Sequence, residues 1–113
     1  VKRIEAVIQP FRLEDVKEAI TRAGARGVTL TEVRRFGPQQ GQTEHYRGAQ
    51  YVTTFEPKMK LEIVVHEDLV ERVANALLEA ARTGRIGDGQ IVVVPVQDAL
   101  RIRTGHEGVA AIY

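Results

Sequence analysis

Apolar and polar residues alternate from Val1 to Gln9, with Ile4, Ala6 and Ile8 on one side and Arg3, Glu5 and Val7 on the other. A period of two predicts a strand with one apolar face. Pro10 ends it. Leu13, Val16, Ile20 and Ala23 then recur at helical spacing. Glu14 and Asp15 fall in the first turn, where the helix dipole favours anions, and Gly24 supplies a stop. Val28 to Arg35 reads as a second strand. Alternation resumes at Met59, Leu61, Ile63 and Val65, with Lys58, Lys60, Glu62 and Val64 on the opposite side. Asp68 is expected to cap a second helix whose buried stripe is Leu69, Val73, Ala76, Leu77 and Ala80. The glycine-rich turn Thr83 to Gln90 ends that helix, and Ile91 to Val96 is the next strand.

The order is strand-helix-strand, a long connection, then strand-helix-strand. Two such halves predict an α+β fold, the ferredoxin-like sandwich, with both helices on one face of a four-stranded antiparallel sheet. The other face has no helix to cover it. Ile91 to Val94 is apolar on both sides, as a doubly buried strand would be. An exposed apolar sheet face marks a partner surface, so a homo-oligomer packed sheet against sheet is expected. A tail segment folded over the face is the alternative.

The connection between the two halves, Phe36 to Lys58, carries no sustained period of two or of 3.6 across its middle, Gly37 to Tyr51. Connections in compact domains usually run about 4–6 residues, and longer ones are either functional or unstructured insertions. This one holds Tyr46 and Tyr51 with Arg47 and Gly48 between them. Few of its side chains are apolar, so weak or ligand-dependent order and an exposed Tyr51 are expected.

Composition narrows the classes. The chain has 113 residues, 43% hydrophobic and 27% charged, which suits one domain, 1–113, with its own core. Net charge is +1, giving no global reason to expect nucleic acid or an anionic membrane. Without cysteine there is no disulfide or thiolate metal site. No apolar run approaches the roughly 18 residues of a membrane span, and no secretory leader opens the sequence, so a cytoplasmic location is the expectation.

Three features are candidates for chemistry. Gly84, Gly87 and Gly89 could let successive backbone N–H groups cradle an anion, although a helix stop followed by a turn explains them as well. The run lacks the Gly-Lys-Ser/Thr ending of a Walker loop. Arg101 and Arg103, two apart, would point the same way in an extended segment and suit a phosphate, or form a solvated pair. His45, His66 and His106 have no metal-ligand spacing and are expected at the surface. No acid-base pair or activated nucleophile can be defended, so no enzyme is expected.

The chain resembles the PII nitrogen-regulatory signal-transduction proteins over nearly its whole length. The residues that carry the resemblance are Ile4-Glu5-Ala6, Pro10-Phe11, Thr31-Glu32-Val33, Phe36-Gly37, Thr43-Glu44, Tyr46-Arg47-Gly48-Ala49, Tyr51, Pro57-Lys58, Leu61 to Val65, Thr83-Gly84 through Gly89, and Arg101 to Gly105. The resemblance implies a homotrimer with ATP or ADP bound in clefts between subunits, and 2-oxoglutarate bound beside ATP through Mg²⁺. None of these would be a tightly held cofactor. The loop, about 37–55, would act as the effector arm on a transporter, a kinase or a nitrogen-assimilation enzyme. Direct nucleic-acid binding and membrane insertion are not implied.

By the same resemblance the phosphate positions are Gly87, Asp88, Gly89, Arg101 and Arg103, with Gly37, Pro38 and Gln90 beside them. Thr29, Glu62 and Val64 match positions around adenine and ribose. Gln39 matches the residue that bridges to the metal, Lys58 the one that pairs with 2-oxoglutarate, and Gly41 lies in that set. Tyr51 matches a tyrosine modified by nucleotidyl transfer in some branches, whereas Ala49 stands where another branch has a phosphorylated serine.

Pro38 replaces a usual basic residue, Gln90 a usual lysine, Arg35 a usual glycine, Gln40 a usual lysine and Gln50 a usual glutamate. Two missing phosphate cations predict weakened nucleotide binding and the loss of any ATP advantage over ADP or AMP, unless Arg35 or Arg85 supplies the charge. The departures also admit a specialised relative that docks on a transporter or serves inorganic-carbon regulation.

Overall fold

The computed structural model describes residues 1–36 and 55–112. The segment 37–54 lies outside them, and with it the expectations for Gly37, Pro38, Gln39, Gly41, His45, Tyr46 and Tyr51 and for the order of the arm. Chain order is β1 (Lys2–Ile8), α1 (Leu13–Arg22), β2 (Thr29–Arg35), β3 (Glu56–Val65), α2 (Val70–Ala81) and β4 (Gln90–Pro95). The sheet runs β2-β3-β1-β4, and every neighbouring pair is antiparallel. This is the ferredoxin-like arrangement the pattern predicts.

The core forms where the alternating strands meet the helices. Ile4, Ala6 and Ile8 of β1 and Leu61, Ile63 and Val65 of β3 are at most 1% exposed. Ile4 lies opposite Ile63, and Ala6 opposite Leu61. Val16 and Ile20 of α1, with Val73 and Leu77 of α2, close over them. Each such side chain contributes about 1.5–3 kcal/mol of apolar burial. Helix α1 ends in a paired-bond motif: Gly24 N–H donates to Thr21 at 3.1 Å and Ala25 N–H to Ile20 at 2.9 Å. Gly24 has φ +113°, which favours a residue without Cβ.

The structure corrects several boundaries. Strand β3 begins three residues before Met59, at Glu56, and runs through Pro57. Pro57 faces Arg34 of β2, while the ladder to β1 stops at Met59, so its missing N–H breaks no ladder on that side. Asp68 does not cap α2. A short 3-10 turn, Glu67–Leu69, precedes the helix, and His66 caps that turn by accepting from the Asp68 N–H through Nδ1 at 3.3 Å. Strand β4 is not doubly buried in the single chain. It lies at the sheet edge, and Val92 and Val93 are 40% and 42% exposed. The tail does not bury these valines, and Ile102 within it is fully exposed.

Candidate functional site

The open side of the sheet carries Arg3, Glu5 and Val7 from β1, Lys58, Lys60, Glu62 and Val64 from β3, and Gln90, Val92 and Val94 from β4. The glycine-rich turn docks at one end of this side. Asp88 organises the turn from within. Its carboxylate accepts from the Thr83 N–H at 2.8 Å and the Gly84 N–H at 2.9 Å, and also from the Thr83 hydroxyl. The Thr83 hydroxyl oxygen in turn accepts from the Arg85 N–H at 3.2 Å. The hydrogen bond from the Thr83 hydroxyl, helped by the Thr83 N–H, favours the ionised form and holds the Asp88 carboxyl below its ordinary value.

The turn is fastened to the sheet through one carbonyl. Gly87 C=O accepts from Lys58 Nζ at 2.8 Å and from Gln9 Nε2 at 2.9 Å. Lys58 is only 5% exposed, so its ammonium needs such an acceptor. Gly89 comes closer still. A Cβ there would lie 1.7 Å from the Val7 carbonyl oxygen, and its φ is +104°. Only glycine fits that approach.

These contacts sort the residues expected to act together. Lys58 and Gly87 meet directly, which joins one residue of the 2-oxoglutarate set to the phosphate set. The Asp88 carboxylate is turned toward Thr83 and Gly84 and holds the turn together from within. Thr29 and Glu62 form a cross-strand pair, and Val64 lies opposite Arg3. Glu62 stands 3.9 Å from Arg3, which also holds Glu5 at 2.7 Å. Glu62 lies four steps along β3 from Lys58, about 13 Å, so the two groups occupy different parts of the face.

Arg101 and Arg103 do not lie on an extended segment. Residues 102–104 form a turn, with Gly105 N–H donating to Arg101 C=O at 2.7 Å and Arg101 N–H to His106 C=O at 2.9 Å. The alternation that would have pointed both guanidiniums one way does not apply there. Among the described residues no ion pair involves either.

Gln9 is the contributor that sequence reasoning missed. Its position before Pro10 marks only a strand end, and its amide role requires the turn to arrive from 78 residues away. At the open end of β2 and β3, Phe36 and Phe55 make a tilted ring contact with centroids 5.5 Å apart, one step beyond the Arg35–Glu56 pair. Among the described residues no three His, Cys, Asp or Glu side chains converge on a metal position.

An open antiparallel sheet face with a clamped glycine turn at its end defines a small ferredoxin-like α+β domain. The chain belongs to the nitrogen regulatory protein P-II family, whose model matches residues 1–106. A nitrogen regulatory protein P-II of Azospirillum brasilense is 54% identical over 112 residues, 99% of this chain and 100% of that one. One from Haemophilus influenzae is also 54% identical over the same span. Among solved structures, an Arabidopsis thaliana PII bound to citrate superposes with a TM-score of 0.79 at 43% identity, over 97% of this chain and 90% of that one. No helix among the described residues is long and apolar enough to cross a membrane.

Proposed function

We propose that this chain is a regulator that binds an adenine nucleotide, ATP or ADP, at the glycine turn and 2-oxoglutarate near Lys58, and passes the signal to a target protein through the segment 37–54. The observation that carries the reading is the Lys58–Gly87 contact. It couples a buried cation, suited to a dicarboxylate, to the backbone of a turn suited to phosphates, so that occupancy of one is felt at the other. An anionic ligand is in keeping with the citrate bound to the Arabidopsis relative. By the family resemblance Mg²⁺ would arrive with the phosphates, with Gln39 as its protein contact.

The apolar part of the open face, Val64, Val92 and Val94, is the surface through which copies of the chain assemble, as a trimer by family resemblance. Arg101 and Arg103 then reach phosphates from a neighbouring copy, since their turn in the single chain is separate from the Gly87–Gly89 turn. The reading assigns no reaction to the chain, places it in the cytoplasm, and leaves Tyr51 as the modification position. Calorimetry with ATP, ADP, AMP and 2-oxoglutarate, with and without Mg²⁺, tests it together with light scattering. Nucleotide binding that promotes 2-oxoglutarate binding by a trimer is expected. A monomer that binds none of them would overturn it.

A further inference from the structure

One cleft opens on the sheet face beside the turn. It measures about 360 Å³ and is lined by Arg34, Arg35, Lys60, Gln90 and Glu5, with valines between them. That size falls in the range of about 300–1,000 Å³ typical of ligand pockets. Its charge is one-sided. Three cations line it against one carboxylate, and Glu5 is already held by Arg3 at 2.7 Å. No ion pair joins Arg34, Arg35 or Lys60 to a carboxylate among the described residues. Unpaired cations gathered around a concave surface favour an anion.

Position fixes which part of a ligand the cleft meets. Gln90 follows Gly89 directly, so the cleft begins where the glycine turn ends. The Gly87 carbonyl, which would repel an anion, is occupied by Lys58 and Gln9. By register the cleft lies at the Arg35–Gln90 end of the face, whereas Val64 and Val94 lie toward the other end, and Val92 borders both the cleft and the packing surface. The groove on the helix side is a poorer candidate, because its lining holds one cation, Arg82, and one carboxylate, Asp88, among mainly apolar residues. Gln90 offers an amide hydrogen bond but no charge. Arg35 offers a planar fork of donors that matches phosphate oxygens.

We propose that Arg35 is a phosphate-binding cation of this chain in addition to Arg101 and Arg103, and that the cleft it shares with Lys60 and Gln90 holds part of the phosphate chain of the nucleotide. This rests on the nucleotide reading above. Arg85, the arginine within the turn, lines no part of the cleft. The arginine that lines the cleft with Gln90 therefore comes from β2, at the far edge of the sheet, rather than from within the turn.

The full chain is titrated with ATP, AMP and inorganic tripolyphosphate as wild type, Arg35→Gln, Arg35→Lys and Arg85→Gln. Arg35 is exposed at a strand end, so all four proteins should fold, which a melting curve checks. Arg35→Gln is expected to weaken ATP and tripolyphosphate about tenfold, the loss of one charge-assisted hydrogen bond, with a smaller effect on AMP. Arg35→Lys should recover part of the loss, and Arg85→Gln should change neither affinity. Unchanged ATP and tripolyphosphate binding in Arg35→Gln, or an equal loss in Arg85→Gln, overturns the assignment and leaves the nucleotide reading standing. If the wild type binds tripolyphosphate in an Arg35-dependent way but binds no nucleotide, the cleft stands and the nucleotide reading falls. Failure of the wild type to bind either ligand overturns both.

Discussion

The two sides of one sheet are built on different physics. On the helix side, β1 and β3 place six apolar side chains at no more than 1% exposure, and stability there comes from area removed from water. On the open side the same strands present Arg3, Glu5, Lys60 and Glu62, and the adjoining turn is held by a handful of hydrogen bonds to Asp88, Lys58 and Gln9. Burial is non-directional and tolerates many apolar choices. Hydrogen-bonded geometry depends on single atoms. The first side therefore makes the fold, and the second is free to carry charge and unpaired donors that a core could not hold.

The sharpest exception is Gly89, where the turn meets β1 through backbone. Gly89→Ala would force its Cβ against the Val7 carbonyl at a left-handed φ, and is expected to destabilise by about 4 kcal/mol in urea unfolding. A loss well under that of a core truncation would mean that the turn can lift off the sheet freely. Leu61 and Glu62 then test the comparison between neighbours on opposite sides. Leu61→Ala should cost about 3 kcal/mol through cavity formation. Glu62→Ala, which removes only a part-exposed carboxylate 3.9 Å from Arg3, should cost less than about 1 kcal/mol. Similar losses from the two would erase the distinction.

Lys58→Met keeps the buried stem and removes the donor to Gly87. A loss of about 1–2 kcal/mol is expected, with Gln9 retaining the carbonyl. Faster hydrogen exchange at Thr83 to Gly89, with the core unchanged, would place the effect on the turn. The smallest effect is on pH dependence. Asp88 has a carboxyl held below its unfolded value, so its contribution is present above that unfolded value, near pH 4, and is lost as pH falls through the folded one. Asp88→Asn should remove that part of the acid limb of stability, and an unaltered limb would show that the Thr83 contacts do not distinguish the two protonation states.

The strand and helix pattern was legible because each element advertises its own period. Ile4, Ala6 and Ile8 alternate, and Leu13, Val16 and Ile20 recur at helical spacing, so local sequence determined the elements, the core side and the ferredoxin-like order. The glycine turn, with the Tyr46-Arg47-Gly48 run and the other stretches along the chain, carried the family resemblance as well. What the sequence could not determine was anything set by approach from a distance. The ring of His66 caps the short turn that leads into α2, and Asp68 caps neither, because capping depends on how the chain enters the turn. Strand β4 reads as doubly buried yet lies at an edge, because strand order is decided by pairing across the chain. Gln9 and Lys58 meet on one carbonyl, and Arg35 joins Gln90 in one cleft, only once four strands are laid side by side. Period is a property of neighbours in sequence. A site is a property of neighbours in space, and here antiparallel register created it.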